Sequence, residues 1–133
     1  MNSRIVPAGT VVFDQIDIYM PGQNYVRVQG LDVSSLLLKT FFNNVDIQWT
    51  LQQGVGVSDQ NVLPNYVYFN EIVGSPGYYS IRFFPTSTGF WRLIFQIPSF
   101  SQEYVLEYDS MIIGSNISLG GTCGSNSIIA SVG

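Results

Sequence analysis

Apolar and polar residues alternate with a period of two along most of this chain. In residues 45–52, Val45, Ile47, Trp49 and Leu51 fall on one side and Asp46, Gln48, Thr50 and Gln52 on the other, which predicts a strand with one buried and one wet face. In residues 10–20, Ile16, Ile18 and Met20 alternate with Gln15, Asp17 and Tyr19, and the turn pair Pro21-Gly22 ends the segment. Residues 25–29 place Val26 and Val28 inward and Arg27 and Gln29 outward. Residues 36–42 form an apolar run interrupted by Lys39, which fits a buried strand or a short helical turn. Residues 53–64 are punctuated by Gly, Asn and Asp and read as a loop. Strands follow at 66–73 and 78–84, the latter with Tyr79, Ile81 and Phe83 inward and Ser80 and Arg82 outward. Two more span 90–97, with Trp91, Leu93, Phe95 and Ile97 on one face, and 103–109, with Tyr104, Leu106 and Tyr108 opposing Glu103, Glu107 and Asp109. No stretch of ten residues carries a helical period. Seven to eight short strands at close spacing predict an all-β antiparallel sandwich.

Composition changes what that sandwich is expected to do. The 133 residues suffice for one domain with its own core. Yet only 11% are charged against 46% hydrophobic and 14% aromatic, and mean hydropathy is +0.22. An ordinary soluble domain carries about 25% charged residues. A surface this poor in charge is expected to be covered by neighbours. No run approaches the roughly 18 to 20 apolar residues of a spanning helix, and the start, Met1 to Pro7, breaks after two apolar residues, so neither a membrane span nor a signal peptide is expected. A transmembrane barrel would need at least about eight longer strands.

The chemistry available is narrow. The chain has no histidine, which removes Ser-His and Cys-His nucleophile pairs, His-ligated metals and the commonest general base at neutral pH. The five basic residues, Arg4, Arg27, Lys39, Arg82 and Arg92, are spread singly within a net charge of −4, so no phosphate-neutralising face is expected. Cys123, the one cysteine, lies among Gly, Thr and Ser with nothing nearby to activate it. No enzyme activity and no cofactor are expected.

Residues 114–133 carry no charge at all, and small residues alternate with Ile, Leu and Val. A solvated tail is normally polar and charged. The chain therefore divides into a sandwich domain, 1–113, and an apolar Gly/Ser-rich arm, 114–133, expected to become ordered on a neighbouring subunit, with Ile117, Leu119, Ile128 and Ile129 as its contacts.

One segment carries a family pattern. Pro76-Gly77-Tyr78-Tyr79-Ser80-Ile81-Arg82-Phe83-Phe84-Pro85, followed by Gly89-Phe90-Trp91-Arg92-Leu93, resembles the hairpin of filamin-type immunoglobulin-like domains. In that pattern the first Gly opens the strand, a Tyr anchors the core, Pro closes the strand where no donor is wanted, and the later Gly permits the turn. The resemblance covers about 24 of the 133 residues, and the paired core cysteines of antibody-type domains are absent. It implies an immunoglobulin-like sandwich of the kind found in tailed-bacteriophage virions. The expected role is a structural subunit of a tail, baseplate, neck or capsid decoration, located in the virion, with other virion proteins and copies of itself as partners.

Particular residues follow from these readings. Tyr78, Phe84 and Phe90 are left over once each strand has given one face to the core, and they are the candidate interface residues of the sandwich. A denser set, Tyr66, Tyr68, Tyr78, Tyr79, Phe90 and Trp91, admits a sugar-stacking platform and a glycan receptor as the alternative partner. Glu103, Glu107 and Asp109 share a strand face, which suits either a solvated acidic edge or an oxygen-liking cation. Asp14 and Asp17 are three apart and are expected to face opposite sides. Asn116-Ile117-Ser118 matches a glycosylation acceptor, with nothing else pointing to secretion.

Overall fold

The computed structural model describes residues 3–55 and 62–112, without the side chains of 23–25. The arm and its contacts Ile117, Leu119, Ile128 and Ile129 lie outside the described residues. Eleven strands appear among the described residues: β1 (Arg4–Pro7), β2 (Val12–Asp17), β3 (Tyr19–Met20), β4 (Gln23–Arg27), β5 (Leu37–Phe42), β6 (Val45–Asp46), β7 (Thr50–Gln53), β8 (Tyr66–Glu71), β9 (Tyr78–Phe83), β10 (Gly89–Ile97) and β11 (Gln102–Met111). They form a five-stranded sheet ordered β1-β11-β10-β5-β6, a four-stranded sheet ordered β2-β9-β8-β7, and a separate β3-β4 ribbon. Most pairs are antiparallel, but the edge pairs β1-β11 and β7-β8 are parallel. The all-β sandwich expected from alternation is present, with more strands than alternation suggests.

The core lies between the two sheets. Leu93, Phe95 and Ile97 of β10 and Phe69, Tyr79, Ile81 and Phe83 of the other sheet are fully buried. Rings meet across the layer, with Phe83 4.9 Å from Tyr108 and 6.4 Å from Trp91, and Phe69 6.2 Å from Phe95, centroid to centroid. Two tyrosine tips in this core are satisfied, while the buried Ser110 Oγ has no hydrogen-bond partner. The Tyr79 hydroxyl donates to the Val28 carbonyl at 2.6 Å, and the Tyr108 hydroxyl donates to Asp14 at 2.6 Å. Burial pushes both phenols above their ordinary pKa, and for Tyr108 the hydrogen bond and negative charge of Asp14 push the same way.

Three local expectations give way to tertiary structure. The single strand expected over 45–52 is two strands in different sheets, broken at Gln48, whose φ is +52°. Thr40 holds the crossing on both sides: its carbonyl accepts from the Ile47 N–H at 3.1 Å and its hydroxyl from the Trp49 N–H at 2.9 Å. Val45, expected inward, is 64% exposed at the sheet edge. Val26, also expected inward, is 46% exposed, because the β3-β4 ribbon belongs to neither main sheet; Val28, just beyond the ribbon, reaches the core. Ser80 and Arg82, expected on a wet face, are buried.

Candidate interaction surface

The two sheets differ in what covers their outer faces. On the four-stranded sheet, Arg82 of β9 lies opposite Tyr68 of β8, and both are buried. The chain leaving β7 crosses here. Gly54 sits so close that a Cβ on it would come within 2.0 Å of Arg82 Nη2 and 2.7 Å of Asn70 Oδ1. The Arg82 guanidinium donates to Asn70 Oδ1, and the Leu63 N–H donates to the Tyr68 hydroxyl at 3.4 Å. Gly54 thus lies over this part of the sheet, and the buried guanidinium fills the space beneath it.

The five-stranded sheet has an outer face that is open among the described residues. In β10, Trp91, Leu93, Phe95 and Ile97 point to the core, so Phe90, Arg92, Ile94 and Gln96 point outward, each partly exposed. Directly opposed residues share a face. Register therefore places Asp109 beside Phe90; Glu107 and Phe41 beside Arg92; Val105 and Lys39 beside Ile94; and Glu103 and Leu37 beside Gln96. Leu37 is 57% exposed, and Ile5 on β1, beside Asp109, is 62% exposed. Apolar residues thus neighbour one another, directly or diagonally, from Phe90 through Phe41, Ile94 and Val105 to Leu37, with Ile5 set apart from Phe90 by Asp109.

The polar groups between them are already organised. Arg92 Nε donates to Glu107 Oε2 at 3.0 Å, and its guanidinium carbon lies 5.5 Å from the centroid of the Phe90 ring. Gln96 Nε2 donates to Glu103 Oε2 at 3.0 Å, and the Ser3 hydroxyl donates to Asp109. The three carboxylates of β11 are each engaged by a different neighbour and do not converge. No group of three or more acidic, Cys or His side chains among the described residues is placed to hold a metal ion. Asp14 points inward to Tyr108 and lies 3.4 Å from Arg4 Nη1, whereas Asp17 lies 3.9 Å from Arg27 on the other side of β2.

The sequence candidates are not brought together. Phe90 lies on the open face. Tyr78 belongs to the other sheet, where the Arg27 guanidinium lies 4.1 Å from its ring centroid and also 5.1 Å from Tyr19. Phe84 is half-buried just past the end of β9. The aromatic set of the glycan alternative is divided too: Tyr68, Tyr79 and Trp91 are buried. Trp91 packs at 4.3 Å from Phe42 and 5.0 Å from Trp49, and its Nε1 donates to the Ser87 carbonyl at 3.2 Å. Residues that sequence reasoning passed over, above all Ile94, define the open face. The signal was present, because Ile94 is an aliphatic side chain in the polar phase of β10, between Arg92 and Gln96.

At one end of the sandwich a shallow depression is lined by Gly30, Glu71, Val73, Gly74 and neighbours. Its acid is occupied: Glu71 accepts from the Gly30 N–H at 3.1 Å and the Gly77 N–H at 2.9 Å, tying two loops together. No helix among the described residues is long and apolar enough to cross a membrane. No protein-family model matches the sequence, and no curated protein matches it.

Proposed function

We propose that this chain is a non-enzymatic structural subunit of a large protein assembly, a virion component of the tailed-phage kind, and that it packs against neighbouring subunits through the outer face of its five-stranded sheet. The observation that carries this reading is the unequal cover of the two sheets. On one outer face the middle of the sheet, around Arg82 and Asn70, lies under Gly54, and Phe13 at its β2 edge is 39% exposed; the other presents Phe41, Phe90, Ile94 and Val105 half-exposed and Ile5 and Leu37 largely exposed. A contiguous apolar surface with polar groups fixed in pairs is what a packing partner covers. The uncharged arm adds a second contact in the same reading.

The immunoglobulin-like part of the reading draws support from strand order. Such sandwiches arrange their strands A-B-E-D in one sheet and C-F-G in the other, with C′ beside C in variable-type domains. Taking β2, β5, β6, β8, β9, β10 and β11 as B, C, C′, D, E, F and G gives B-E-D and G-F-C-C′. The bond from Trp91 to the Ser87 carbonyl, at the start of β10, resembles the tyrosine corner of that architecture. The phage assignment rests on the hairpin resemblance, the scarcity of charge and the arm.

Sedimentation of the full chain over a concentration series up to about 1 mM, the range in which even weak contacts register, tests the packing reading. Association beyond the monomer, lost in Ile94→Asp, is expected. A chain that stays monomeric throughout overturns it.

A further inference from the structure

We propose that the occupant of the open face is a second copy of the same chain, stacked sheet on sheet about a two-fold axis that runs parallel to the strands along the β10-β11 boundary. This rests on the reading of that face as a packing surface and adds the partner and its orientation.

Charge on the face is lopsided. The carboxylates Glu103, Glu107 and Asp109 all sit on β11, while the cations Arg92 and Lys39 sit on β10 and β5. Two identical sheets can face each other about an axis across the strands or an axis along them. The first lays β11 over β11 and sets carboxylates against carboxylates, at a cost of several kcal/mol for buried like charges. The second exchanges left and right. With the axis between β10 and β11, Arg92 comes over the partner's Glu107, Ile94 over the partner's Val105, and Gln96 over the partner's Glu103. Each contact occurs twice, as an isologous interface requires. The intrachain Arg92–Glu107 pair becomes half of a four-membered ring of alternating charge, closed on itself. Exposed Ile5 moves over the partner's β5, near Phe41.

The area is that of a weak contact. β1, β5, β10 and β11 have 4, 6, 9 and 10 residues, and at about 3.4 Å per residue and about 4.8 Å spacing they give roughly 470 Å² per copy. Doubled, roughly 900 Å² is the size of a transient interface. A dimer with a dissociation constant between about 10 μM and about 1 mM is expected.

Charge exchange in the full chain tests this, with circular dichroism confirming that each variant folds. Arg92→Glu and Glu107→Arg should each weaken self-association at least about tenfold. The two variants mixed together should form a heterodimer, and the double variant, which keeps both the intrachain and the interchain pair, should dimerise like the wild type. A wild-type chain that never associates overturns both this proposal and the packing reading. Association that stops at no dimer, or that neither mixing nor the double variant restores, overturns the two-fold arrangement and leaves the packing reading standing.

Discussion

Replacing Gly54 with alanine tests the cover over Arg82 directly. An added Cβ would lie 2.0 Å from Arg82 Nη2, 3.2 Å from its Cζ and 2.7 Å from Asn70 Oδ1. The guanidinium is fully buried and donates to Asn70, so the collision has no exposed, flexible end to push aside. Forcing an extra carbon into a packed interior costs about 1–3 kcal/mol. Displacing a hydrogen bond to a charged group costs a further ~1.5–3 kcal/mol. Against this, an alanine narrows the unfolded chain and returns roughly 0.4–1 kcal/mol. The expected net loss is about 3 kcal/mol, which for a chain of this size lowers Tm by about 10 °C. Thermal and urea unfolding of Gly54→Ala measure it. The cause is isolated by repeating the substitution in an Arg82→Met background, where the alanine should cost little and the two changes should couple by more than about 1 kcal/mol. A Gly54→Ala protein within about 0.5 kcal/mol of wild type, or one equally damaged in both backgrounds, would refute the packing of Arg82 beneath Gly54.

Three further outcomes follow from the geometry. Tyr108→Phe removes the bond to Asp14 and should cost about 1–2 kcal/mol near neutral pH. The folded phenol is held above its ordinary value of 10.0, so its stabilising effect is complete below pH 10 and is lost as pH rises further; Tyr108→Phe should lose stability less steeply above pH 10 than wild type in a urea series, and equal slopes would contradict the assignment. Gly89→Ala meets both a φ of +148° and the Phe42 ring 2.6 Å from the new Cβ, and should lose about 2 kcal/mol or more in urea unfolding. Arg27→Ala removes the cation lying against Tyr78 and Tyr19, each contact worth about 0.5–1 kcal/mol, and should speed amide exchange in the β3-β4 ribbon while leaving β10 protected.

Much of the fold is legible in the sequence because a half-buried strand writes its own pattern. Residues 90–97 give the inward set Trp91, Leu93, Phe95 and Ile97, and 78–84 give Tyr79, Ile81 and Phe83, all buried in the structure. What alternation cannot carry is the identity of whatever covers the second face. Arg82 and Ser80 occupy the polar phase of β9 and are nevertheless buried; over Arg82 lies Gly54, 28 residues earlier in the chain. Nor can alternation mark where a strand changes sheets. Residues 45–52 alternate without a fault, yet Gln48 adopts φ of +52° and the chain crosses, held by Thr40 on a strand it had already left. The parallel pairing of β1 with β11 joins residues about a hundred positions apart and leaves no local trace. For the candidate surface, Phe90 was legible as a surplus aromatic, but Phe41 and Val105 join the same face, beside Arg92 and Ile94, only through the register of three strands.

The scarcity of charge also reads differently once the arginines are placed. Arg4 lies against Asp14, Arg27 between two tyrosines near Asp17, Arg82 on Asn70 and Arg92 on Glu107. All four brace the fold, so what keeps copies apart in solution is chiefly the net charge of −4. Repulsion of that kind acts at long range through water and is screened within about 10 Å at 0.1 M salt. An Arg92–Glu107 ring buried between two sheets is screened far less. Self-association should therefore strengthen as ionic strength rises from about 10 mM to about 150 mM, spanning Debye lengths of roughly 30 to 8 Å. Sedimentation equilibrium at the two salt concentrations measures the change. Weakening with salt would mean that exposed ion pairs, and not the apolar residues around Ile94 and Val105, hold the copies together.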